Sequence, residues 1–208
     1  MTNLLICIVV VFLLWTLWGY FSSRVEQARY SVLEKHSGYE IRLYPAHLVA
    51  QTTVDAPYRE ALNQGFRLVA RYIFGGNVRK EAIAMTAPVS QQKGESIAMT
   101  APVSQSKDGD LWKVQFTMPS AYTLETLPKP NNPDVKIKAV PGYRAAAIRF
   151  SGFWWDSSLR KQRGKLDIFV REKQLQIEGE PAYLFYNPPW TLPMFRRNEV
   201  QYDLETVL

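Results

Sequence analysis

The pattern of hydrophobic and polar positions divides the chain into two unequal parts. Residues 1–23 contain no charged side chain and no histidine, and the run from Leu4 to Phe21 reads LLICIVVVFLLWTLWGYF. As a helix this run would extend about 27 Å, close to the bilayer hydrocarbon thickness of about 30 Å. Its aromatic residues gather at its C-terminal end, where a lipid–water interface would lie. We therefore expect residues 1–23 to form an N-terminal transmembrane anchor.

A cleaved signal peptide is the alternative interpretation of this segment. No basic residue precedes the apolar run and no small-x-small motif precedes Ser22, so the uncleaved span is favoured. Arg24, Arg29 and Lys35 follow the run, and the positive-inside rule then places the remaining domain in the cytoplasm. Two nearby glutamates offset part of this charge, so a domain on the other side of the membrane stays open.

Beyond a linker at residues 24–37, the alternation of apolar and polar residues indicates a duplicated domain at residues 38–208. GYEIRLYPAHLVAQTTV starts at Gly38 and aligns with DVKIKAVPGYRAAAIRF, which starts at Asp134. Both stretches are rich in β-forming residues and are interrupted by a proline, which is typical of a strand with a bulge or at a sheet edge. We expect pseudo-repeats at residues 38–120 and 134–206.

A helix is predicted after each of these stretches. In residues 57–74 apolar side chains recur at helical spacing, and Gly75 and Gly76 follow as a stop signal. The second helix is predicted at residues 156–175, and strand-forming segments close each half at residues 113–118 and 199–204. Two β-α-β-β units predict an α+β fold in which two helices cover a curved mixed sheet of about eight strands.

A sharper repeat lies inside the first half. The nonapeptide IAMTAPVSQ occurs at residues 83–91 and again, unchanged, at residues 97–105. Its alternation of apolar and polar positions predicts two strands of an extended hairpin. Met85 and Met99 then pack in the core, although a methionine-lined rim for an apolar ligand, or methionine ligation of a haem iron, is the alternative.

Charge and candidate chemistry narrow the functional classes. Lys and Arg exceed Asp and Glu by 25 to 19, and no basic run exceeds two residues, which does not favour nucleic-acid binding. One cysteine and two histidines exclude a disulfide framework and the usual structural zinc site. The common nucleophile, nucleotide and metalloprotease motifs are also missing from the sequence. We therefore expect a protein without catalytic activity of its own.

Two groups of basic residues and one histidine remain as candidates for ligand contacts. Arg67 and Arg71 are either a snorkelling pair on the first helix or a clamp for ligand carboxylates. His47, near Pro45, is either an ordinary strand histidine or a metal ligand. The second predicted helix carries six cations, which either form a solvated face or contact anionic lipid headgroups.

Four segments make the chain resemble the SOUL haem-binding protein family: YEIRLY at 39–44, RYIFGGN at 71–77, IAMTAPV at 83–89 and 97–103, and YNPPWTLPMFRRNEVQY at 186–202. The resemblance implies a distorted β-barrel with two helices, similar to effector-binding domains of bacterial multidrug-responsive regulators. It also implies non-covalent binding of a tetrapyrrole in a shallow hydrophobic cleft rather than an established reaction.

Carried over to this sequence, the resemblance places the haem cleft along the first helix. Leu62, Phe66 and Val69 would form its apolar wall, and Arg71 would face the haem propionates. Some family members have a histidine within the YEIRLY motif as an iron ligand, whereas this chain has Leu43 there. His47 would then have to act as the iron ligand.

The sequence thus predicts a membrane-anchored protein that holds haem or a related tetrapyrrole for carriage or buffering. The residues expected to contact the cofactor are Leu62, Phe66, Arg67, Val69, Arg71, Met85 and Met99, with His47 as a metal ligand. The alternative is a module that binds, or even hydrolyses, diverse apolar small molecules. A large flat ligand with two carboxylates suits an apolar cleft with one or two cations beside it.

Overall fold

The large sheet is the main feature of the computed structural model, which describes residues 25–78 and 94–205. In these residues the strands are β1 (Glu26–Gln27), β2 (Ser31–His36), β3 (Tyr39–Tyr44), β4 (His47–Val54), β5 (Asn77–Val78), β6 (Thr100–Ala101), β7 (Val103–Asp108), β8 (Leu111–Thr117), β9 (Lys129–Pro130), β10 (Lys136–Val140), β11 (Tyr143–Phe150), β12 (Ile177–Phe185) and β13 (Asn198–Leu204). The helices are α1 (Tyr58–Ile73) and α2 (Asp156–Glu172), with a 3₁₀ turn at Pro193–Phe195.

Nine of the described strands form the main sheet in the order β10-β4-β8-β7-β12-β13-β11-β3-β2. The expected α+β fold, with a large sheet and two helices, is confirmed. The expected mixed sheet is wrong, because every neighbouring pair in this sheet is antiparallel and the parallel pair β1–β6 lies outside it. Nor is the sheet a closed barrel, since β10 and β2 end it without pairing to each other.

A long two-stranded ribbon connects the two ends of this sheet. Tyr44 of β3 lies opposite Tyr143 of β11, and His47 of β4 lies opposite Val140 of β10. The same register therefore continues past Pro45, which interrupts the hydrogen-bond ladder because proline has no backbone N–H. Each proline-interrupted stretch predicted as one strand is consequently two strands, which pair in different parts of the sheet.

The two helices cover one face of the sheet. Helix α1 packs on β4 and β8, and α2 packs on β11, β12 and β13. Gly65 allows α1 to approach closely, because a Cβ atom there would lie only 2.6 Å from Val114. Leu62 packs against the core under both helices, and Arg59 lies 3.9 Å from Asp156, so the N-terminal ends of the helices are neighbours.

Several predicted segments differ from the structure or lie outside its described part. Residues 24–37, predicted to be a linker, contain β1 and β2, and β2 is an edge strand whose side chains are mostly exposed and so lack an apolar pattern. The expected anchor at 1–23 and the first IAMTAPVSQ copy, with Met85, lie outside the described residues. The second copy contains β6 and the first half of β7. In residues 25–78 and 94–205 no helix has the length and apolar character that crossing a membrane requires.

Candidate functional site

A groove opens between the N-terminal ends of α1 and α2, over the centre of the sheet. It has a volume of about 240 Å³. We call it the helix groove, and its lining residues are Tyr58, Arg59, Leu62, Asn63, Phe153, Trp154, Trp155 and Arg196. Its walls therefore come from the first turns of α1, the loop that precedes α2 and the loop that precedes β13.

Local sequence explains why the two loops meet at this groove. Gly152 has a φ of +105°, a left-handed conformation that glycine adopts without steric cost and that turns the chain after β11. Its N–H donates to the Pro193 carbonyl at 2.8 Å, and its own carbonyl accepts from Asn198 Nδ2 at 3.2 Å. These two hydrogen bonds fasten the 151–155 loop to the 188–197 loop and to the start of β13.

Aromatic side chains form the apolar walls of the helix groove. The rings of Phe153 and Trp155 stack with centroids 4.8 Å apart, and Trp154 packs edge-on against Phe185 at 5.6 Å. Phe153 is 48% exposed and Trp155 is 55% exposed. Large flat side chains left this open in a concave site are typical of a surface that binds an apolar ligand.

Arg196 places a positive charge against these walls. Its Nε donates to the Thr191 carbonyl at 2.7 Å and its Nη2 donates to the Pro189 carbonyl at 2.6 Å. The guanidinium lies 4.3 Å from the ring centroid of Trp154. Burial lowers the pKa of Arg196, yet an arginine stays charged at neutral pH. Because a guanidinium has five N–H groups, this fixed cation retains donors for a ligand carboxylate.

A second and larger cavity of about 340 Å³ lies near the start of β4, and we call it the His47 cavity. His47 lines it, and the ring Nδ1 donates to the Pro45 carbonyl at 2.9 Å. This cavity shares no lining residue with the helix groove. The structure therefore does not bring His47 together with Leu62 and the aromatic walls.

The α1 residues predicted to contact the cofactor lie at different positions along and around the helix and do not line one cavity. Leu62 lines the helix groove, whereas Phe66, one turn further on, is 37% exposed and packs on Phe116. Val69 is fully buried beneath the helix, and Arg67 is exposed. Arg71 lies nine residues after Leu62, about half a turn around the helix, and lines a different cavity.

Methionines were the other predicted cofactor contacts. Met99 is half-buried just before β6 and is absent from the residues that line the helix groove, while Met85 lies outside the described residues. Three aromatic residues of the groove, Phe153, Trp154 and Trp155, were missed by sequence reasoning. Their signal was present as three consecutive large aromatics between a glycine and a helix start, a pattern with neither strand nor helix periodicity.

On the opposite face of the sheet lies a buried set of charged and hydroxyl groups, the Arg42–Glu199 network. Arg42 donates to Glu199 through Nη1 at 2.6 Å and Nη2 at 3.0 Å, and Arg197 Nε donates to the same carboxylate at 2.9 Å. Tyr186 adds a hydroxyl donor at 3.0 Å. Arg42 is 1% exposed and Glu199 is fully buried, so one buried and one half-buried cation share a buried carboxylate.

The burial and hydrogen bonds of this network shift the pKa values of its ionisable groups. Burial opposes the charge of Glu199, but the hydrogen bonds and charges of Arg42 and Arg197 outweigh it and lower the pKa of the carboxyl. Burial also raises the pKa of Tyr44 to about 12. The network is satisfied internally, so its residues are placed to stabilise the sheet.

Metal-binding capacity is limited in the described part of the chain. There, no three His, Cys, Asp or Glu side chains gather in a group that could hold a metal ion. Tyr58 lines the helix groove, but burial raises its pKa, so its hydroxyl stays protonated at neutral pH. The side chains that line the helix groove are mostly aromatic, apolar or basic.

Comparison with known proteins identifies the family to which the chain belongs. The family model of the SOUL heme-binding protein matches residues 25–203, and the chain belongs to this family. Heme-binding protein 1 of Mus musculus is 27% identical over 150 residues, covering 70% of this chain and 73% of that protein. Heme-binding protein 1 of Bos taurus is 28% identical over 149 residues, covering 70% and 72%.

Solved structures of low sequence identity share the fold. The C-terminal domain of EcmrR is 13% identical with a TM-score of 0.53, covering 86% of this chain and 99% of that one. A hydrolase from Listeria innocua is 12% identical with a TM-score of 0.50, covering 83% of this chain and 94% of that one. At such identities the likeness concerns the arrangement of sheet and helices alone.

Proposed function

We propose that the helix groove binds haem or a related tetrapyrrole non-covalently, for carriage or buffering and without catalysis. Membership of the SOUL family and similarity to heme-binding protein 1 support a haem ligand. The observation that carries the proposal is the position of Arg196 against Trp154, beside the stacked rings of Phe153 and Trp155. Flat apolar walls suit a porphyrin plane, and a fixed guanidinium suits a propionate.

The size of the groove bears on how the ligand would be held. Its volume of about 240 Å³ lies below the 300–1,000 Å³ typical of enclosed ligand sites. A tetrapyrrole would therefore be buried only in part, with an edge in solvent. Partial burial favours a ligand that is exchanged rather than permanently retained, which is consistent with carriage.

The proposed binding of haem does not require a protein ligand to its iron. Among the described residues, no histidine or cysteine lines the helix groove, and Tyr58 keeps its proton. We propose that apolar area and Arg196 provide the affinity, and that His47 provides no iron ligand. When bound, haem would bring redox-active iron to this surface, but no residue of the groove positions a second reactant.

The setting of the domain is part of the proposal. An apolar run with no charge precedes Arg24, and we propose that it anchors the chain in a membrane with the domain in the cytoplasm. A carrier or buffer of an apolar ligand gains from this location, because the ligand itself partitions into lipid.

Titration of the full chain with hemin in detergent, followed at the Soret band, tests the proposed function. We expect saturable binding, weakened about tenfold in Arg196→Ala because a hydrogen bond to a charged group is removed. Arg71→Ala is the matched control, since Arg71 is an arginine on α1 outside the groove. Equal loss in both variants, or no saturation while unrelated flat dyes such as rhodamine 6G bind, would contradict haem binding at this site.

A further inference from the structure

The loop before β13 presents apolar side chains that the helix groove does not use. Trp190 is 52% exposed, Met194 is 65% exposed and Phe195 is 62% exposed, and none of the three lines the groove. We propose that this 190–195 loop docks the domain onto a membrane surface that contains anionic lipids. The proposal does not depend on which ligand the groove binds.

The loop is held in one shape by backbone hydrogen bonds. The N–H of Thr191 donates to the Pro188 carbonyl at 3.0 Å, and that of Phe195 donates to the Leu192 carbonyl at 2.9 Å. Pro193 accepts from Gly152, which ties the loop to the neighbouring turn. The apolar side chains are therefore presented together by a fixed backbone, so inserting them requires little further ordering.

Charge around the loop complements an anionic surface. Residues 188–197 read PPWTLPMFRR and contain no acidic residue; of their two arginines, Arg196 is part-exposed, whereas Arg197 is paired with Glu199. At the adjoining helix ends Arg59, Arg160 and Lys161 are exposed, and the acidic residues there are Asp55, Glu60 and Asp156, of which Asp156 lies 3.9 Å from Arg59. Cations beside exposed aromatic residues are typical of surfaces that contact lipid headgroups.

The first described residues of the chain lie at the end of the molecule that carries the 190–195 loop. Val25, the first described residue, packs beside Leu184 and Tyr186, where β12 leads into the loop. Gln27 accepts a hydrogen bond from Arg197 at 2.9 Å, directly after the loop. A membrane crossed by the apolar run at residues 4–21 would thus lie near the end of the domain that carries the loop.

A second copy of the chain suits this surface less well than lipid does. A two-fold contact through the loop would place the same arginines against each other, because an isologous interface uses one patch on both subunits. Like charges brought together at a contact oppose association. An anionic bilayer instead provides both an apolar layer for the side chains and negative headgroups for the cations.

The test places an environment-sensitive fluorophore on the full chain in lipid vesicles. With Cys7→Ser as background, nitrobenzoxadiazole is attached to Phe195→Cys or, as matched control, to Asp134→Cys. Asp134 is exposed and follows Asn131 and Asn132, which lie at the C-terminal end of α1, about 20 Å from the groove. Vesicles are phosphatidylcholine alone or phosphatidylcholine with phosphatidylglycerol, each with and without brominated acyl chains.

We expect the label at position 195 to shift to shorter wavelength and to be quenched by brominated lipid when phosphatidylglycerol is present. The label at position 134 should stay in water in both lipids. Arg160→Gln and Lys161→Gln should each lower the ratio of docked to undocked domain about fivefold, as expected for a cation near an anionic surface. Hemin binding in detergent, measured on the same variants, reports on the groove independently.

Two results would overturn the proposal. One is equal exposure of both labels to water in the presence of phosphatidylglycerol. The other is a shift at position 195 that follows protein concentration and not lipid charge, which would assign the loop to contact between copies. Loss of hemin binding with docking intact would contradict the function proposed for the groove and leave the docking surface standing.

Discussion

Two adjacent arginines of one segment show how the two faces of this sheet differ. Arg196 lies in the helix groove, where its ring and backbone contacts leave it part-exposed beside exposed aromatics. Arg197 lies on the other face and donates to Glu199, Gln27 and Tyr30. The alternation of side chains along the chain separates a cation available to a ligand from a cation committed to the fold.

Exposure, and not residue type, distinguishes polar groups that are available to a ligand from polar groups that are paired within the protein. The Arg42–Glu199 network has more charges than the helix groove, yet its donors and acceptors are paired within the protein. The helix groove has one fixed guanidinium and apolar walls that nothing within the described chain covers. We therefore expect substitutions in the Arg42–Glu199 network to lower the stability of the fold, and substitutions in the helix groove to lower the affinity for the ligand.

The largest expected effect is the loss of stability in Glu199→Gln. This change removes the buried counter-charge of Arg42 and leaves it only the half-buried carboxylate of Glu40, and breaking a buried ion pair costs about 3–5 kcal/mol. Urea unfolding followed by circular dichroism measures the change in the free energy of unfolding. As control, the double variant Arg42→Met/Glu199→Gln should lose less than the two single variants added together. Additive losses would show that the two residues do not interact.

Because of the same carboxylate, we expect the free energy of unfolding to fall in acid. The folded-state pKa of Glu199 is lowered, so its contribution is present above the unfolded pKa of about 4.3 and is lost as the pH falls through the folded value. Urea unfolding at a series of pH values below about 5 measures this dependence. Glu199→Gln should show a flatter profile in that range, and an identical profile in both proteins would contradict the assignment.

A smaller effect is expected from removing one wall of the helix groove. Trp155→Ser should weaken hemin binding about fivefold, in line with the roughly 1 kcal/mol of an aromatic contact. Serine is a favourable residue at the N-cap position that Trp155 occupies, so the free energy of unfolding should change by less than about 1 kcal/mol. Parallel hemin titration and urea unfolding separate the two quantities. A large loss of stability with unchanged affinity would place Trp155 in the fold rather than the site.

The smallest expected effect is that of His47→Ala on haem. His47 lines a cavity that shares no residue with the helix groove, and its ring Nδ1 donates a hydrogen bond to the nearby Pro45 carbonyl. We expect the Soret position and the hemin affinity of His47→Ala to equal those of the unchanged chain. A displaced Soret band in this variant would make His47 an iron ligand and would move the site to the His47 cavity.

Local pattern predicted much of the fold. The bounds of α1, expected at 57–74 and found at Tyr58–Ile73, follow from apolar spacing and the glycines after it. Pairing could not be predicted in the same way, because β3 and β4 are consecutive in the chain yet lie far apart in the sheet order. Strand β2 was missed because its side chains are mostly exposed and carry no period.

The candidate site was predicted less well, for a physical reason. Apolar residues at helical spacing identify the buried face of a helix, and Val69 is such a core residue, fully buried under α1. The helix groove is instead formed by the first turns of α1 and by two loops joined through Gly152 and Pro193. Contacts between loops distant in sequence depend on tertiary structure, which no single-segment pattern records.

Hydrogen–deuterium exchange of the full chain with and without hemin reports where the ligand is bound. We expect hemin-dependent protection in peptides that cover residues 58–63, 151–155 and 189–197, which line or flank the helix groove. Peptides that cover residues 45–48 and 117–124, around the His47 cavity, should exchange unchanged. Protection confined to the His47 cavity, with none at the helix groove, would show that hemin does not bind in the helix groove.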